Sequence, residues 1–174
     1  CAGKKDIVII SSDHTRPVPS RVTMPILLHH IHSAAPEARV RILVATGMHR
    51  PSTHEELVNK YGEEIVANEE IVMHVATDDS MMKKIGTLPS GGECIINKIA
   101  ADCDLLLAEG FIEPHFFAGF SGSRKSVLPG IASYKTIMYN HNGQFVNDSH
   151  SRAGNLCHNH VSEDMFAAAE MAHL

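Results

Sequence analysis

Residues 6–13 read DIVIISSD, and this stretch decides the fold class. Its β-branched residues 7–10 form an apolar run typical of a strand that is buried on both faces of a sheet, and residues 11–13 form a polar end. The same pattern recurs in residues 39–46 (RVRILVAT) and 104–110 (DLLLAEG). Longer helical patterns separate these strands, so the chain is predicted to have an α/β fold with a mostly parallel, Rossmann-like sheet that carries helices on both faces.

The helical patterns cover residues 20–33 and a segment that runs from a capping box at Ser52 or Thr53 to about Tyr61. Weaker patterns remain, and they predict a strand over residues 70–76, an extended stretch over 82–88, a short helix over 97–102 and a helical stretch over 131–140.

A last helix is expected to begin with Ser162 as its N-cap, followed by acidic residues in its first turn. No Gly or Pro ends this helix pattern, and a predicted strand starts only a few residues after Cys1. Since neither end looks like a domain boundary, we expect residues 1–174 to form a single α/β domain of a longer chain.

Composition excludes several classes of protein. The 174 residues carry a net charge of −5, contain no Trp and show no basic stripe interleaved with aromatic residues, so a nucleic-acid partner is not expected. No apolar run approaches the ~20 residues that a membrane-spanning helix needs. The four cysteines form no C-x-x-C pair, which favours a reducing, cytoplasmic setting.

Three predicted strands end in polar turns marked by Gly or Pro, at residues 13–19, 47–53 and 109–126. The carboxyl ends of parallel strands share one edge of the sheet, where open α/β folds bind their ligands. A ligand site is expected at this edge.

Several side chains in these turns suit acid–base or anion chemistry. His49 and His115 are candidate acid–base groups with pKa values near neutrality. Arg16 precedes a proline and suits bidentate binding of a carboxylate or phosphate, with Asp13 nearby. Lys125 adjoins Arg124, and like-charge repulsion is expected to lower its pKa and favour it as a nucleophile.

Two other interpretations stay open at this point. Residues 119–126 (GFSGSRKS) approach a phosphate-binding P-loop, but Arg124 occupies the position where that loop needs glycine, which argues against a nucleotidase. Two places in the sequence offer metal ligands: His141, and the group Cys157, His158 and His160. The second of these lacks a fourth donor for zinc. A non-catalytic metal- or phosphate-binding α/β module is therefore the alternative.

Four motifs in order carry a more specific resemblance: residues 13–17 (DHTRP), 47–51 (GMHRP), 113–130 (EPHFFAGFSGSRKSVLPG) and 140–141 (NH). Together they resemble the amino-terminal domain of the nickel-dependent lactate racemase family. The resemblance covers nearly the whole chain, and proteins of that family have a second α/β domain of comparable size. It therefore implies that residues 1–174 are the amino-terminal, cofactor-binding domain of a larger two-domain protein.

The resemblance implies a nickel-pincer nucleotide, a thiocarboxylated pyridinium mononucleotide joined through a thioamide to Lys125. His141 would be the protein's ligand to nickel, and His49 and His115 would be the acid–base residues on opposite sides of the substrate. The remaining implied roles are substrate-carboxylate binding by Arg16 and nucleotide contacts by Asp13 and, more weakly, Thr15.

The implied activity is racemisation or epimerisation of lactate or another 2-hydroxy acid. Because the carboxylate opposes carbanion formation at Cα, the hydrogen would leave as hydride to the cofactor while one histidine takes the hydroxyl proton. The resulting planar 2-keto acid would accept hydride on either face. The implied partners are the cofactor's biosynthetic enzymes and a carboxyl-terminal domain, without which residues 1–174 are expected to lack turnover.

Overall fold

The structure is a computed structural model that describes residues 1–174, and it confirms the α/β fold. The elements in chain order are β1 (Asp6–Ser12), α1 (Ser20–Ala34), β2 (Arg39–Ala45), α2 (His54–Tyr61), α3 (Glu63–Asn68), β3 (Glu70–Met73), β4 (Met82–Thr87), β5 (Glu93–Asn97), α4 (Lys98–Asp102), β6 (Leu105–Glu109), β7 (Pro114–His115), β8 (Gly119–Phe120), α5 (Tyr134–Asn140), α6 (Gly143–Val146) and α7 (His160–Met171), with 3₁₀ turns at Asp79–Met81 and Ser123–Ser126.

The central sheet has four parallel strands in the order β3-β2-β1-β6. Strand β1 lies in its interior, where Ile9 is aligned with Ile42 on one side and Leu107 on the other. The chain leaves β1 toward β2 and later returns to the opposite side as β6, so the strand order reverses between β1 and β6. Such a switch point opens a crevice at the carboxyl ends of the strands.

Two hydrophobic layers cover the sheet. Helices α1, α2 and α3 cover one face, with Met24, Ile31 and Tyr61 packed against alternate residues of β1 and β2. The other face is covered by an antiparallel hairpin, β4–β5, together with α5 and α7. The sequence pattern predicted helices on both faces, and the hairpin shares the second face with them.

Some predicted boundaries were wrong. Strand β3 ends at Met73, earlier than the predicted 76. The N-cap of α7 is Asn159, whose side chain accepts a hydrogen bond from the Ser162 N–H, whereas Ser162 itself is buried inside the first turn. All four cysteines are free thiols. None of the helices is long and apolar enough to span a membrane.

Candidate functional site

A cavity of about 380 Å³ lies at the switch point, which is a typical size for a small-molecule site. The turns after β1, β2 and β6 all contribute to its wall, at the edge of the sheet where the sequence predicted a site. The cavity brings six of the seven predicted site residues together: Asp13, Arg16, His49, His115, Lys125 and His141. Thr15 does not line it.

Asp13 and His49 form a hydrogen-bonded pair across the ends of β1 and β2. Asp13 Oδ2 lies 2.6 Å from His49 Nδ1, and the Thr15 N–H and hydroxyl both donate to Asp13 Oδ1. Burial raises the pKa of Asp13, but the hydrogen bonds from Thr15 and His49 outweigh it and hold that pKa below its usual value. An ionised Asp13 keeps the His49 proton on Nδ1, which leaves Nε2 free to accept a proton.

His115 lies on β7, in a two-stranded ribbon with β8. Its Nδ1 accepts a hydrogen bond from the Ala118 N–H at 3.3 Å, so the neutral ring carries its proton on Nε2. Burial, followed by the charges of Lys125 and Arg16, lowers the pKa of His115 to about 4. The near-neutral pKa predicted for His115 was wrong because the sequence showed neither the burial of the ring nor the cations that lie near it.

Lys125 lies in the 3₁₀ turn 123–126, directly after Gly122, whose φ of 73° suits glycine. Burial is the main cause that lowers the pKa of Lys125 to about 8, and Arg16 and Arg124 contribute further. The predicted lowering is confirmed, although repulsion from Arg124 is a secondary cause. Near pH 8 a large fraction of this amine is therefore neutral and nucleophilic.

His141 follows α5 and combines burial with an unused nitrogen. Its Nδ1 is buried and has no hydrogen-bond partner, and its ring packs edge-on against Phe117 at 5.1 Å between centroids. Burial, helped by the Lys125 charge, lowers the pKa of His141 to about 4, so the ring is neutral at pH 7. A neutral imidazole with a free nitrogen is a good ligand for Ni(II) and other borderline metals.

No group of three or more His, Cys, Asp or Glu side chains could hold a metal ion by itself. Cys157, His158 and His160 therefore do not assemble the metal cluster that their sequence proximity suggested. A metal bound to His141 would need further ligands from outside these side chains.

The sequence patterns did not single out two residues of the cavity wall, Glu109 and Phe117. Glu109 ends β6, and its carboxylate accepts hydrogen bonds from the hydroxyls of Ser11 and Ser20 at 2.9 and 2.7 Å. A single acidic residue at the end of an apolar strand was the available signal. Phe117 contacts the rings of both His115 and His141, and Lys125 Nζ lies 5.8 Å from its centroid; no sequence pattern distinguishes it from a core phenylalanine.

The fold is a doubly wound α/β domain with a cavity at its switch point. The cavity is lined by His49, His115, a lysine of lowered pKa and an imidazole with an unpaired nitrogen. The chain belongs to the lactate racemase N-terminal domain family, whose model matches residues 1–154. This confirms the family that the four motifs indicated.

Relatives extend the match over nearly the whole chain. The chain is 73% identical over 172 residues to a lactate racemase of Lactiplantibacillus plantarum, covering 99% of this chain and 41% of that protein. It is 55% identical over 172 residues to a lactate racemase of Thermoanaerobacterium thermosaccharolyticum, covering 99% of this chain and 40% of the relative. The chain thus spans about two fifths of the length of these relatives.

Solved structures agree with the fold. The lactate racemase apoprotein of T. thermosaccharolyticum superposes with a TM-score of 0.97 at 55% identity, over 99% of this chain and 42% of the other. A Thermotoga maritima protein superposes with a TM-score of 0.81 at 22% identity, over 98% of this chain and 44% of that one, and shares the fold.

Proposed function

We propose that residues 1–174 form the cofactor-binding, amino-terminal domain of an isomerase that racemises or epimerises lactate or a closely related 2-hydroxy acid. The names of the relatives support this reaction class. One observation carries the proposal: a single cavity is lined by a lysine of lowered pKa (Lys125), a neutral imidazole with an unpaired nitrogen (His141) and two further histidines.

Arg16 is the candidate anchor for the substrate carboxylate. It lies on the cavity wall, and its planar guanidinium can donate two parallel hydrogen bonds to a carboxylate. Holding this end of the substrate leaves the hydroxyl and the Cα hydrogen to be positioned by the other groups of the cavity.

The two histidines supply proton transfer. The substrate's enantiomers present their hydroxyl in different directions, so a racemase benefits from a base at each of two positions. His49 is ready as a base because Asp13 holds its proton on Nδ1. His115 is neutral, with Nε2–H available as a donor, and a bound carboxylate would offset the surrounding cations and raise its pKa toward neutrality.

The donor set fits a nickel-pincer nucleotide. Lys125 offers a neutral amine for the thioamide, and the buried, unpartnered Nδ1 of His141 offers the protein's ligand to nickel. When bound, this cofactor would accept the Cα hydrogen as hydride and return it. We propose that Asp13 and Thr15 serve the site mainly through His49, because the carboxylate of Asp13 is already engaged by that histidine and by Thr15.

The cofactor needs its own biosynthetic enzymes, so the deciding experiment uses the full-length protein produced together with them and with nickel. The tryptic peptide that contains Lys125 is expected to carry a sulfur-containing nucleotide adduct. Lys125→Ala is expected to lose both the adduct and bound nickel. An unmodified lysine, with nickel content unchanged in Lys125→Ala, would instead indicate a non-catalytic metal-binding module.

A further inference from the structure

A buried arginine holds the turn that carries Lys125. Arg124 is only 5% exposed, and its Nη2 donates to the carbonyl oxygens of Ala118 and Phe120 at 3.0 and 3.2 Å. The same nitrogen donates to the Ser162 hydroxyl of α7 at 3.3 Å. Its Cζ lies 4.5 Å from the ring centroid of Phe166, also on α7. The guanidinium thus joins the Lys125 turn to a helix that lies outside the cavity.

Arg124 has no carboxylate partner among the salt bridges of the domain, and its buried Nε makes no hydrogen bond. An arginine stays charged even when burial lowers its pKa, as it does here. Burying such a charge without a counter-ion is costly, and an apolar side chain of similar volume would fill the space at lower cost. Packing alone therefore does not explain this residue.

The start of α7 holds the other end of the same loop. Asn159, the N-cap of α7, donates from its side-chain amide to the Phe117 carbonyl at 2.8 Å. Phe117 in turn packs against the His141 ring and lies beside Lys125 Nζ. Both attachments use residues after position 154, beyond the segment that the family model matches.

We propose that Arg124 is a positioning residue for Lys125: supported by Ser162 and Phe166 of α7, it locks the 123–126 turn so that the Lys125 amine is kept on the cavity wall and away from bulk water. This inference rests on the proposed role of Lys125 as the cofactor's attachment point. Helix α7 thereby takes part in cofactor attachment without touching the cavity.

The test measures the reactivity of the Lys125 amine in the cofactor-free, full-length protein. The rate of trinitrophenylation by trinitrobenzenesulfonate is followed by peptide mass spectrometry as a function of pH. The charged and titratable groups that act on Lys125 or respond to it are Arg124, Arg16, Glu113, His115 and His141. In the wild type, the rate is expected to reach half its maximum near pH 8.

Arg124→Gln removes a nearby positive charge and releases the turn, and both changes favour the protonated amine. The midpoint is expected to rise by about one pH unit or more, which lowers the labelling rate at pH 8 by about fivefold or more. Phe166→Ala is expected to shift the midpoint in the same direction by less. Arg124→Lys, which keeps the charge but loses the planar fork, is expected to restore part of the rate.

Two matched controls separate positioning from stability. Glu170→Ala, an exposed change on the same helix, is expected to leave the Lys125 rate unchanged. Met24→Ala, a cavity-forming change in the layer on the opposite face of the sheet, is expected to lower Tm without changing the Lys125 rate.

Unchanged midpoints in folded Arg124→Gln and Phe166→Ala would overturn the proposal. If Arg124→Gln does not fold, Phe166→Ala decides alone. Failure of the proposed function has a different signature, because the wild type would then lack the nucleotide adduct while Arg124→Gln still shifted the labelling profile.

Discussion

Burial and charge together govern the protonation of the single side chains in the cavity. Arg16, Arg124 and Lys125 place three cations around two neutral histidines, and the carboxylate of Asp13 is held apart by its bonds to Thr15 and His49. Each group sets the protonation of the next, so substitutions that change charge are the most informative ones.

Asp13→Asn keeps the size of the side chain but removes its charge. Because the two donors of Thr15 hold the amide oxygen at the Oδ1 position, the NH2 group faces His49 Nδ1 in place of an acceptor. We therefore expect the racemisation rate of the loaded, full-length protein to fall about hundredfold or more. The KM is expected to change little, because Arg16 holds the substrate carboxylate. Initial rates with each enantiomer measure this, and a rate within twofold of the wild type would contradict the role of the pair.

Lys125→Met is expected to raise the pKa of His115 above its value of about 4, because the Lys125 charge is the largest of the electrostatic causes that lower it. NMR titration of the His115 ring in the cofactor-free protein measures this pKa. Lys60→Met is the control, since Lys60 is also partly buried but does not act on His115.

At the scale of helices and strands, the N-cap of α7 links this helix to the loop of the candidate site. The Asn159 side chain is fully buried, accepts from the Ser162 N–H and the Ser151 hydroxyl, and donates to the Phe117 and Asn155 carbonyls. The same side chain therefore caps the start of α7 and attaches this helix to the loop that carries Phe117.

Asn159→Ala removes this cap and leaves buried polar groups without partners, so the free energy of unfolding is expected to fall by about 2–4 kcal/mol. Urea unfolding of the cofactor-free protein measures the loss. Asn142→Ala is the matched control: Asn142 caps α6 from a more exposed position and is expected to cost about 1 kcal/mol or less. Equal losses in the two variants would refute the linking role of Asn159.

For the domain as a unit, the histidines with lowered pKa values make stability depend on pH. His74 is fully buried, its Nε2 donates to the Ala132 carbonyl, its Nδ1 accepts from Asn97, and burial lowers its pKa to about 4. The unfolded chain binds a proton to this ring near pH 6.5, whereas the folded chain does so only near pH 4. Stability therefore falls as the pH decreases from 6.5 to 4 and is independent of this group above that range.

The expected loss is roughly 1–3 kcal/mol for His74 across this interval. His74→Gln removes the titrating group, and the free energy of unfolding is expected to decline less steeply between these pH values. Urea unfolding at a series of pH values measures both slopes. Parallel slopes in the wild type and the variant would show that His74 is not responsible.

Residues 1–174 alone are expected to show no racemisation, whereas the loaded, full-length protein is expected to be active. The chain spans about two fifths of the length of its relatives, and Phe116 at the cavity wall is 74% exposed. A bound substrate would remain open to water at that side. Turnover by residues 1–174 carrying the Lys125 adduct would show that no further domain is needed.

Much of the architecture follows from patterns between near neighbours in the chain. The apolar runs at 7–10 and 105–107 predicted the strands, and Thr53 with Glu56 forms the predicted capping box. The polar turns indicated the edge of the sheet where the cavity lies, and the motifs indicated the family. Hydrophobic periodicity and capping depend on residues only a few positions apart, which is why one sequence was sufficient for them.

Other properties depend on residues that are far apart in the chain. The packing of the β4–β5 hairpin on the central sheet, the pKa of His115 and the unpaired Nδ1 of His141 could not be predicted locally. Arg124 looked like a departure from a phosphate-binding loop, and only its contacts with Ser162 and Phe166 reveal it as an anchor. Burial and charge act through space, so these features exist only once folding has brought distant segments into contact.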